Sequence, residues 1–200
     1  MTKRKPENIS TDVTTFEILR HFYPDDTPGR RLLLRHSAQV RDKALAILAL
    51  PANAALRLDL DLVSRGAMLH DIGIGRCHAP SIGCEGTEPY IAHGVIGAAM
   101  LRQLAEETGQ DFEACARICE RHTGSGITAA EVEAQGLPIP VRDYLPVTPE
   151  EQLVCLADKF FSKSAEGELA VADVRRSLFR FGVDAVDRFD RLCDTFSVPR

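Results

Sequence analysis

Apolar residues recur along most of this chain at intervals of three and four residues, the spacing that places side chains on one face of an α-helix. The clearest case is the segment from about residue 30 to 50, where His36, Val40 and Ala44 share one face. The same spacing predicts further helices over about 11–22, 58–70, 89–109, 111–122 and 149–163. No segment shows the strict alternation of a half-buried β-strand. The pattern therefore predicts an all-α protein.

Two segments between the helices lack this spacing. Residues 71–87 hold four glycines and show no period, which predicts a long loop. Three prolines make residues 137–148 an irregular connection that cannot lie inside a helix. Just before that connection, Thr128 and Glu131 have the spacing of a capping box and predict a short helix to Gly136.

The chain is expected to form a single domain over residues 11–200. A length of 200 residues, with 44% hydrophobic and 26% charged residues, suits one globular domain. Residues 1–10 are polar and contain a proline, which predicts a disordered tail. We expect the core over about 28–165, and two amphipathic C-terminal helices over 168–196 that serve either as scaffold or as a homodimer surface.

Charge and cysteine content narrow the function classes. The net charge of -5 argues against binding to extended nucleic acid, which favours a basic surface. The six cysteines include no C-x-x-C pair, which predicts reduced thiols. The N-terminal residues are polar and no long apolar stretch follows them, so neither a signal peptide nor a membrane span is predicted. We therefore expect a cytoplasmic protein without a membrane partner.

Six ionisable residues fall where the pattern places the core or a helix end. Each histidine alone suits a hydrogen-bonded core imidazole, but buried groups without partners are unfavourable, and a shared metal ion explains all of them together. Imidazole and carboxylate suit iron, manganese or zinc. Six ligands exceed one tetrahedral site, and a carboxylate can bridge two ions. The six residues are His36, His70, Asp71, His93, His122 and Asp158.

The order of these residues, with the run His70-Asp71-Ile72-Gly73, resembles the HD superfamily, whose signature is often written HDIG. The resemblance covers about residues 28–165, and its later part is similar to small bacterial and archaeal HD proteins. It implies an all-helical HD-domain bundle with two divalent ions, of iron, manganese or another first-row metal, in its core. It also implies a division of the ligands: His36, His70, Asp71 and Asp158 would hold the first ion, and Asp71 would bridge to a second ion completed by His93 and His122.

The resemblance further implies a metal-dependent phosphohydrolase. Its expected substrate is a small phosphoester, with nucleotides and dinucleotides as candidates, and its expected nucleophile is a metal-activated water. Asp71, as the bridging ligand, is the expected catalytic residue. Arg121, Ser125 and Lys159 are candidates for binding the phosphate, although both cations also suit solvated helix surfaces. Many members continue the signature with a lysine, where this chain has Ile74.

Two other classes stay open at this stage. HD-fold di-iron oxygenases use the same ligand order and differ in requiring dioxygen. A regulatory module could keep the fold without catalysis, but the complete set of ligands argues against it. Oxygen dependence and metal content separate these alternatives from a hydrolase.

Overall fold

The computed structural model describes residues 14–164 and 167–199, and these residues form a helical bundle. The predicted disordered tail over residues 1–10 lies outside the described residues. The α-helices are α1 (Thr15–Phe22), α2 (Pro28–Leu48), α3 (Leu60–Leu69), α4 (His93–Thr108), α5 (Glu113–Arg121), α6 (Ala129–Ala134), α7 (Pro149–Asp158), α8 (Val171–Phe179) and α9 (Val183–Thr195). Short 3₁₀ turns lie at Pro51–Asn53, Ile74–Arg76, Pro80–Ile82 and Tyr90–Ala92. The prediction of an all-α fold is confirmed.

Local sequence explains where several helices begin. Thr14, Thr128 and Thr148 each accept a hydrogen bond from the backbone N–H three residues later, and the glutamate at that position accepts one from the threonine backbone in return. The predicted short helices after Thr14 and Thr128 are thereby confirmed. Helix α2 begins at Pro28, and proline suits this position because it has no backbone N–H that would be left without a hydrogen-bond acceptor in the first turn.

The predicted end of α7 was wrong. The spacing predicted a helix to residue 163, but α7 ends at Asp158. The N–H groups of Lys159, Phe160 and Phe161 donate to carbonyls only three residues back, which tightens the chain into a turn. The segment after Asp158 therefore leaves the helix axis instead of continuing along it.

Two smaller predictions also need correction. The helix predicted from residue 111 begins at Glu113, whose N–H donates to the Asp111 carboxylate at 2.8 Å. The predicted loop over 71–87 contains two short antiparallel strands, β1 (His78–Ala79) and β2 (Cys84–Glu85). Strands of two residues are too short to show an alternating pattern, so the sequence offered no signal for them.

The helices pack around two groups of buried apolar side chains. One group joins α2, α3, α5 and α7 to the C-terminal helices, with Phe160 and Phe189 among its largest members. The other joins α1 to α3, α4 and α5, around Ile18, Leu101 and Phe112. In the part of the chain that the structure describes, no helix is both long and apolar enough to cross a membrane.

Candidate metal centre

The six predicted ligands converge at one place, which we call the His/Asp cluster. Each is at most 7% exposed to solvent. Most lie at helix ends, where a side chain can reach beyond the packed face of its own helix. The cluster consists of His36 from α2, His70 and Asp71 directly after α3, His93 at the start of α4, His122 directly after α5, and Asp158 at the end of α7.

The carboxylate of Asp71 separates the four histidines into two pairs. Its Oδ2 atom lies 3.3 Å from Nε2 of His36 and 3.2 Å from Nε2 of His70. Its Oδ1 atom lies 3.3 Å from Nε2 of His93 and 3.4 Å from Nε2 of His122. One carboxylate thus presents a different oxygen to each pair, as a ligand shared between two ions would.

Asp158 lies beside the first pair only. Its Oδ1 atom is 2.9 Å from Nε2 of His36 and 3.5 Å from Nε2 of His70. Two groups of three residues have ligand atoms within 4.8 Å of one another among the described residues: His36, His70 and Asp158, and His70, Asp71 and His122.

Three of the histidines have their ring orientation fixed by the backbone. The Nδ1 atoms of His70, His93 and His122 lie 2.7, 2.6 and 2.8 Å from the carbonyl oxygen three residues earlier in the chain. A carbonyl oxygen only accepts, so Nδ1 carries the proton and the Nε2 lone pair points at the cluster in the neutral ring. This second contact is typical of histidines that bind metals.

Several polar atoms of the cluster lack a suitable hydrogen-bond partner in the protein, and a divalent ion would provide one binding partner for all of them. Both oxygens of Asp71 and Nε2 of His70 are buried without an aligned hydrogen-bond partner. The Nε2 atoms of His93 and His122 are 3.0 Å apart, and two neutral imidazoles repel in that orientation unless a proton or a cation lies beside them. Imidazole nitrogens and carboxylate oxygens are suitable donors for iron, manganese or zinc.

Gly73 allows the loop that carries Asp71 to lie close to the first turns of α4. A Cβ atom on Gly73 would lie 2.2 Å from the carbonyl oxygen of His93 and 2.5 Å from the amide nitrogen of Gly97. Any other residue at position 73 would therefore separate the loop carrying Asp71 from the first turns of α4. Tyr23 holds the same loop from the other side, because its hydroxyl donates to the Ile72 carbonyl at 2.6 Å and accepts the Gly75 N–H at 2.9 Å.

Burial and charge set the protonation of the cluster. Burial raises the pKa of Asp71, but the Lys163 ammonium and the nearby imidazoles outweigh it and hold that pKa well below its usual range. Burial lowers the pKa of His93 to about 3, so this ring is neutral. Burial also lowers the pKa of His70, but the nearby carboxylates of Asp71 and Asp158 outweigh it and raise the pKa to about 9. Burial raises the pKa of Asp158, but the Lys159 ammonium and the hydrogen bond with His36 hold it well below its usual range, so both carboxylates are ionised, as metal ligands must be.

Two lysines lie against the carboxylates. Nζ of Lys163 is 2.7 Å from Oδ2 of Asp71, and Nζ of Lys159 is 2.7 Å from Oδ2 of Asp158. Lys163 also lies over the ring of Tyr90, 5.9 Å from its centroid. Lys163 could not be predicted as part of the site, because on a continued α7 a residue five positions after Asp158 would point away from it. The turn after Asp158 returns it to the cluster.

Of the three predicted phosphate-binding residues, two line a cavity at the His/Asp cluster and one does not. Lys159 and Ser125 line a cavity of about 340 Å³ that also includes His93, His122 and Asp158. The Ser125 hydroxyl donates to the Ala185 carbonyl at 2.7 Å, which fixes its orientation. Arg121 is not among the lining residues, and its guanidinium lies 2.8 Å from Oε2 of Glu151. Arg121 therefore lies outside the proposed phosphate site.

Comparison with known proteins identifies relatives in archaea. An uncharacterised protein of Methanocaldococcus jannaschii is 38% identical over 126 residues, which cover 63% of this chain and 64% of that protein. The tRNA (cytidine(56)-2′-O)-methyltransferase of Thermoplasma volcanium is 34% identical over 161 residues, or 80% of this chain and 40% of that protein. The enzyme of the same name from Picrophilus torridus is 35% identical over 131 residues, or 66% and 32%. The chain therefore matches less than two thirds of the length of each relative.

Among solved structures, the HD domain of the L. monocytogenes phosphodiesterase PgpH superposes on 90% of this chain and 97% of its own, with a TM-score of 0.47 and 16% sequence identity. A family model described as the HD domain matches residues 33–162, and that range includes all six members of the His/Asp cluster. Because this match spans well over half of the sequence, the chain belongs to the HD domain family.

Proposed function

We propose that this protein hydrolyses a small phosphoester at two divalent metal ions held by the His/Asp cluster. Membership of the HD domain family supports a metal-dependent phosphohydrolase in general terms. The observation that carries the proposal is the pair of lysine ammonium groups, Lys159 and Lys163, in the lining of the same cavity as the cluster. Cations beside a metal centre suit a phosphate, because they can donate charge-assisted hydrogen bonds to phosphate oxygens that the ions do not contact.

The assignment of two ions rests on Asp71. Each of its oxygens faces a different histidine pair, so the first ion would be held by His36, His70, Asp158 and one Asp71 oxygen. The second would be held by the other Asp71 oxygen with His93 and His122. Such a pair lowers the pKa of a water molecule toward neutrality and neutralises charge on the phosphate oxygens.

Lys159 and Lys163 would contact the phosphate in this arrangement. Burial lowers the pKa of Lys163, but the Asp71 and Asp158 carboxylates outweigh it and raise that pKa above its usual range, so the group stays protonated. Its side chain is 14% exposed and lines the cavity, where a phosphate oxygen can reach the ammonium group. Lys159 donates to the His122 carbonyl at 3.2 Å, which fixes its position beside Asp158. Both groups bind and orient the phosphate in this proposal.

The test is phosphate release by protein loaded with manganese or iron, measured on a panel of phosphoesters with and without oxygen. We expect release that requires the metal and is the same in air and in an oxygen-free chamber. Turnover that consumes oxygen without releasing phosphate would replace the proposal with an oxygenase. A protein that binds no metal and releases no phosphate from any ester would indicate a regulatory module instead.

A further inference from the structure

The cavity at the His/Asp cluster has a second set of walls that no metal chemistry requires. Besides the cluster and the lysines, its lining includes Ile127, Leu137, Leu169, Leu178 and Phe181. Three of these five belong to the segment from 169 to 181, beyond the residues 33–162 that match the HD domain model. The C-terminal helices, predicted as scaffold or dimer surface, therefore contribute directly to the cavity.

The aromatic ring of Phe181 is the most accessible part of this apolar wall. It lies between α8 and α9 and is 49% exposed, whereas Leu178 beside it is 4% exposed. The Arg180 guanidinium lies over the Phe181 ring at 4.7 Å from its centroid. A planar apolar group entering the cavity can cover this ring, which removes apolar surface from water and adds an aromatic contact.

The Glu131 carboxylate in this part of the lining is already neutralised by the Arg188 guanidinium. Glu131 accepts hydrogen bonds from Arg188 at 2.7 and 3.0 Å and from the Thr128 backbone at 2.8 Å. Its carboxylate therefore has little capacity left for the hydroxyl groups of a sugar or a polyol. Hydroxyl groups placed against the apolar wall itself would lose water without gaining equivalent partners there, which favours a ring without hydroxyl groups at that position.

The size of the cavity limits the substrate further. A volume of about 340 Å³ lies near the lower end of the range of about 300–1,000 Å³ that small-molecule pockets occupy. This volume suits one ring system joined to one phosphate, and it argues against a dinucleotide.

We propose that the substrate is a phosphate monoester of an alcohol with an aromatic ring, and that the apolar wall of Ile127, Leu137, Leu169, Leu178 and Phe181 binds that ring. This inference rests on the proposed function, because it assumes that the phosphate lies at the metal ions and lysines. The alcohol leaves with the ring still on the wall, and its oxygen takes up a proton as water attacks phosphorus.

The experiment compares two esters whose alcohols are both primary, 2-phenylethyl phosphate and ethyl phosphate, in metal-loaded protein. We expect kcat/KM for the phenyl ester to be at least about tenfold higher, because burying one ring is equivalent to about one to two decades in affinity. Phe181→Ala is expected to lower that ratio about tenfold. Phe179→Ala is the matched control, since Phe179 is 65% exposed and does not line the cavity, and it should leave the ratio unchanged.

Binding of the non-hydrolysable 2-phenylethylphosphonate and ethylphosphonate, measured by calorimetry, separates the two proposals. Equal affinity for the two phosphonates would overturn the apolar wall as the ring site. An equal loss of affinity for the phenyl compound in Phe181→Ala and Phe179→Ala would overturn it as well. Phe181-dependent binding of the phenyl compound without phosphate release from either ester would retain the wall and overturn the hydrolase. Because Phe181 is half-exposed, Phe181→Ala is expected to remain folded, which circular dichroism verifies.

Discussion

Two carboxylates of this protein are buried beside cations, and they differ in how they are satisfied. Glu151 is 2% exposed, and its oxygens accept from Arg121 at 2.8 Å, Arg117 at 3.1 Å and the Val147 N–H at 2.7 Å. Asp71 is 0% exposed and has the Lys163 ammonium 2.7 Å from Oδ2, but neither of its oxygens has an aligned hydrogen bond although four imidazoles surround it. Glu151 is complete with protein partners alone, and Asp71 is not.

The difference indicates which buried charge is structural and which is available for a ligand. A carboxylate with all its lone pairs occupied stabilises the fold and has no capacity for an additional partner. A buried carboxylate without aligned donors is unfavourable, and it persists where a ligand completes it. Variants at these two residues should therefore separate stability from activity.

The largest effect is expected at Asp71. Asp71→Ala removes the ligand shared by both histidine pairs, so we expect loss of most bound metal and a fall in phosphate release of at least about 10³-fold. Elemental analysis and a phosphatase assay measure both, and circular dichroism verifies that the helical fold remains. The exposed Asp187→Ala is the control. Wild-type metal content in Asp71→Ala would contradict the shared-ligand assignment.

A smaller loss is expected at Lys163. Lys163→Met removes the ammonium beside Asp71 but no metal ligand, so metal content should stay while kcat/KM falls by about 10- to 100-fold, the value of one charged hydrogen bond to phosphate. Lys43→Met is a matched control, because Lys43 is also ion-paired, with Glu168 at 2.6 Å, and does not line the cavity. Unchanged kinetics in Lys163→Met would exclude this lysine from phosphate binding.

At Glu151 the effect should be on stability. Glu151→Gln leaves Arg117 and Arg121 without their carboxylate, and we expect the free energy of unfolding to fall by about 2 kcal/mol while metal content per folded protein is unchanged. Denaturant titration provides the measurement, and the exposed Glu133→Gln is the control. Loss of metal in Glu151→Gln would contradict the division between the two carboxylates.

The stability difference at Glu151 should also depend on pH. Burial raises the pKa of Glu151, but the Val147 N–H and Arg121 outweigh it and hold that pKa below its ordinary value of 4.5. A lowered pKa in the folded state contributes stability that is complete above pH 4.5 and is lost as the pH falls through the folded value. The gap between wild type and Glu151→Gln should therefore narrow in acid, and a gap that widens there would contradict this assignment.

The smallest effect on activity is expected at Arg121. Because its guanidinium is bound to Glu151 and does not line the cavity, Arg121→Ala should change kcat/KM by less than about twofold and lower the free energy of unfolding by about 1 kcal/mol. Steady-state kinetics and denaturant titration measure the two quantities. A large rise in KM would restore Arg121 to the phosphate site that its sequence position suggested.

The six candidate ligands could be predicted from the sequence, but only one of the two lysines beside them, Lys159, could be. His36, His93 and Asp158 could be placed on buried helix faces because apolar residues lie three or four positions away from each of them, and residues at that spacing share one face of a helix. Lys163 and the partner of Arg121 depend on where α7 ends and on how it packs against α5, and neither follows from local spacing. The same holds for Phe181, whose contribution to the cavity arises only once α8 and α9 fold back on the bundle.

The contacts between three histidine rings and the carbonyl oxygens one helical turn earlier have a consequence for metal exchange. Because the backbone holds these rings at 2.6 to 2.8 Å from their carbonyl partners, their side-chain entropy is lost on folding and not on metal binding. The binding free energy of an ion is then not spent on ordering the ligands. If the proposed ions bind there, we expect that one metal can be chelated and another added to the same folded protein, so that the metal in a cell extract would reflect local supply as much as intrinsic affinity.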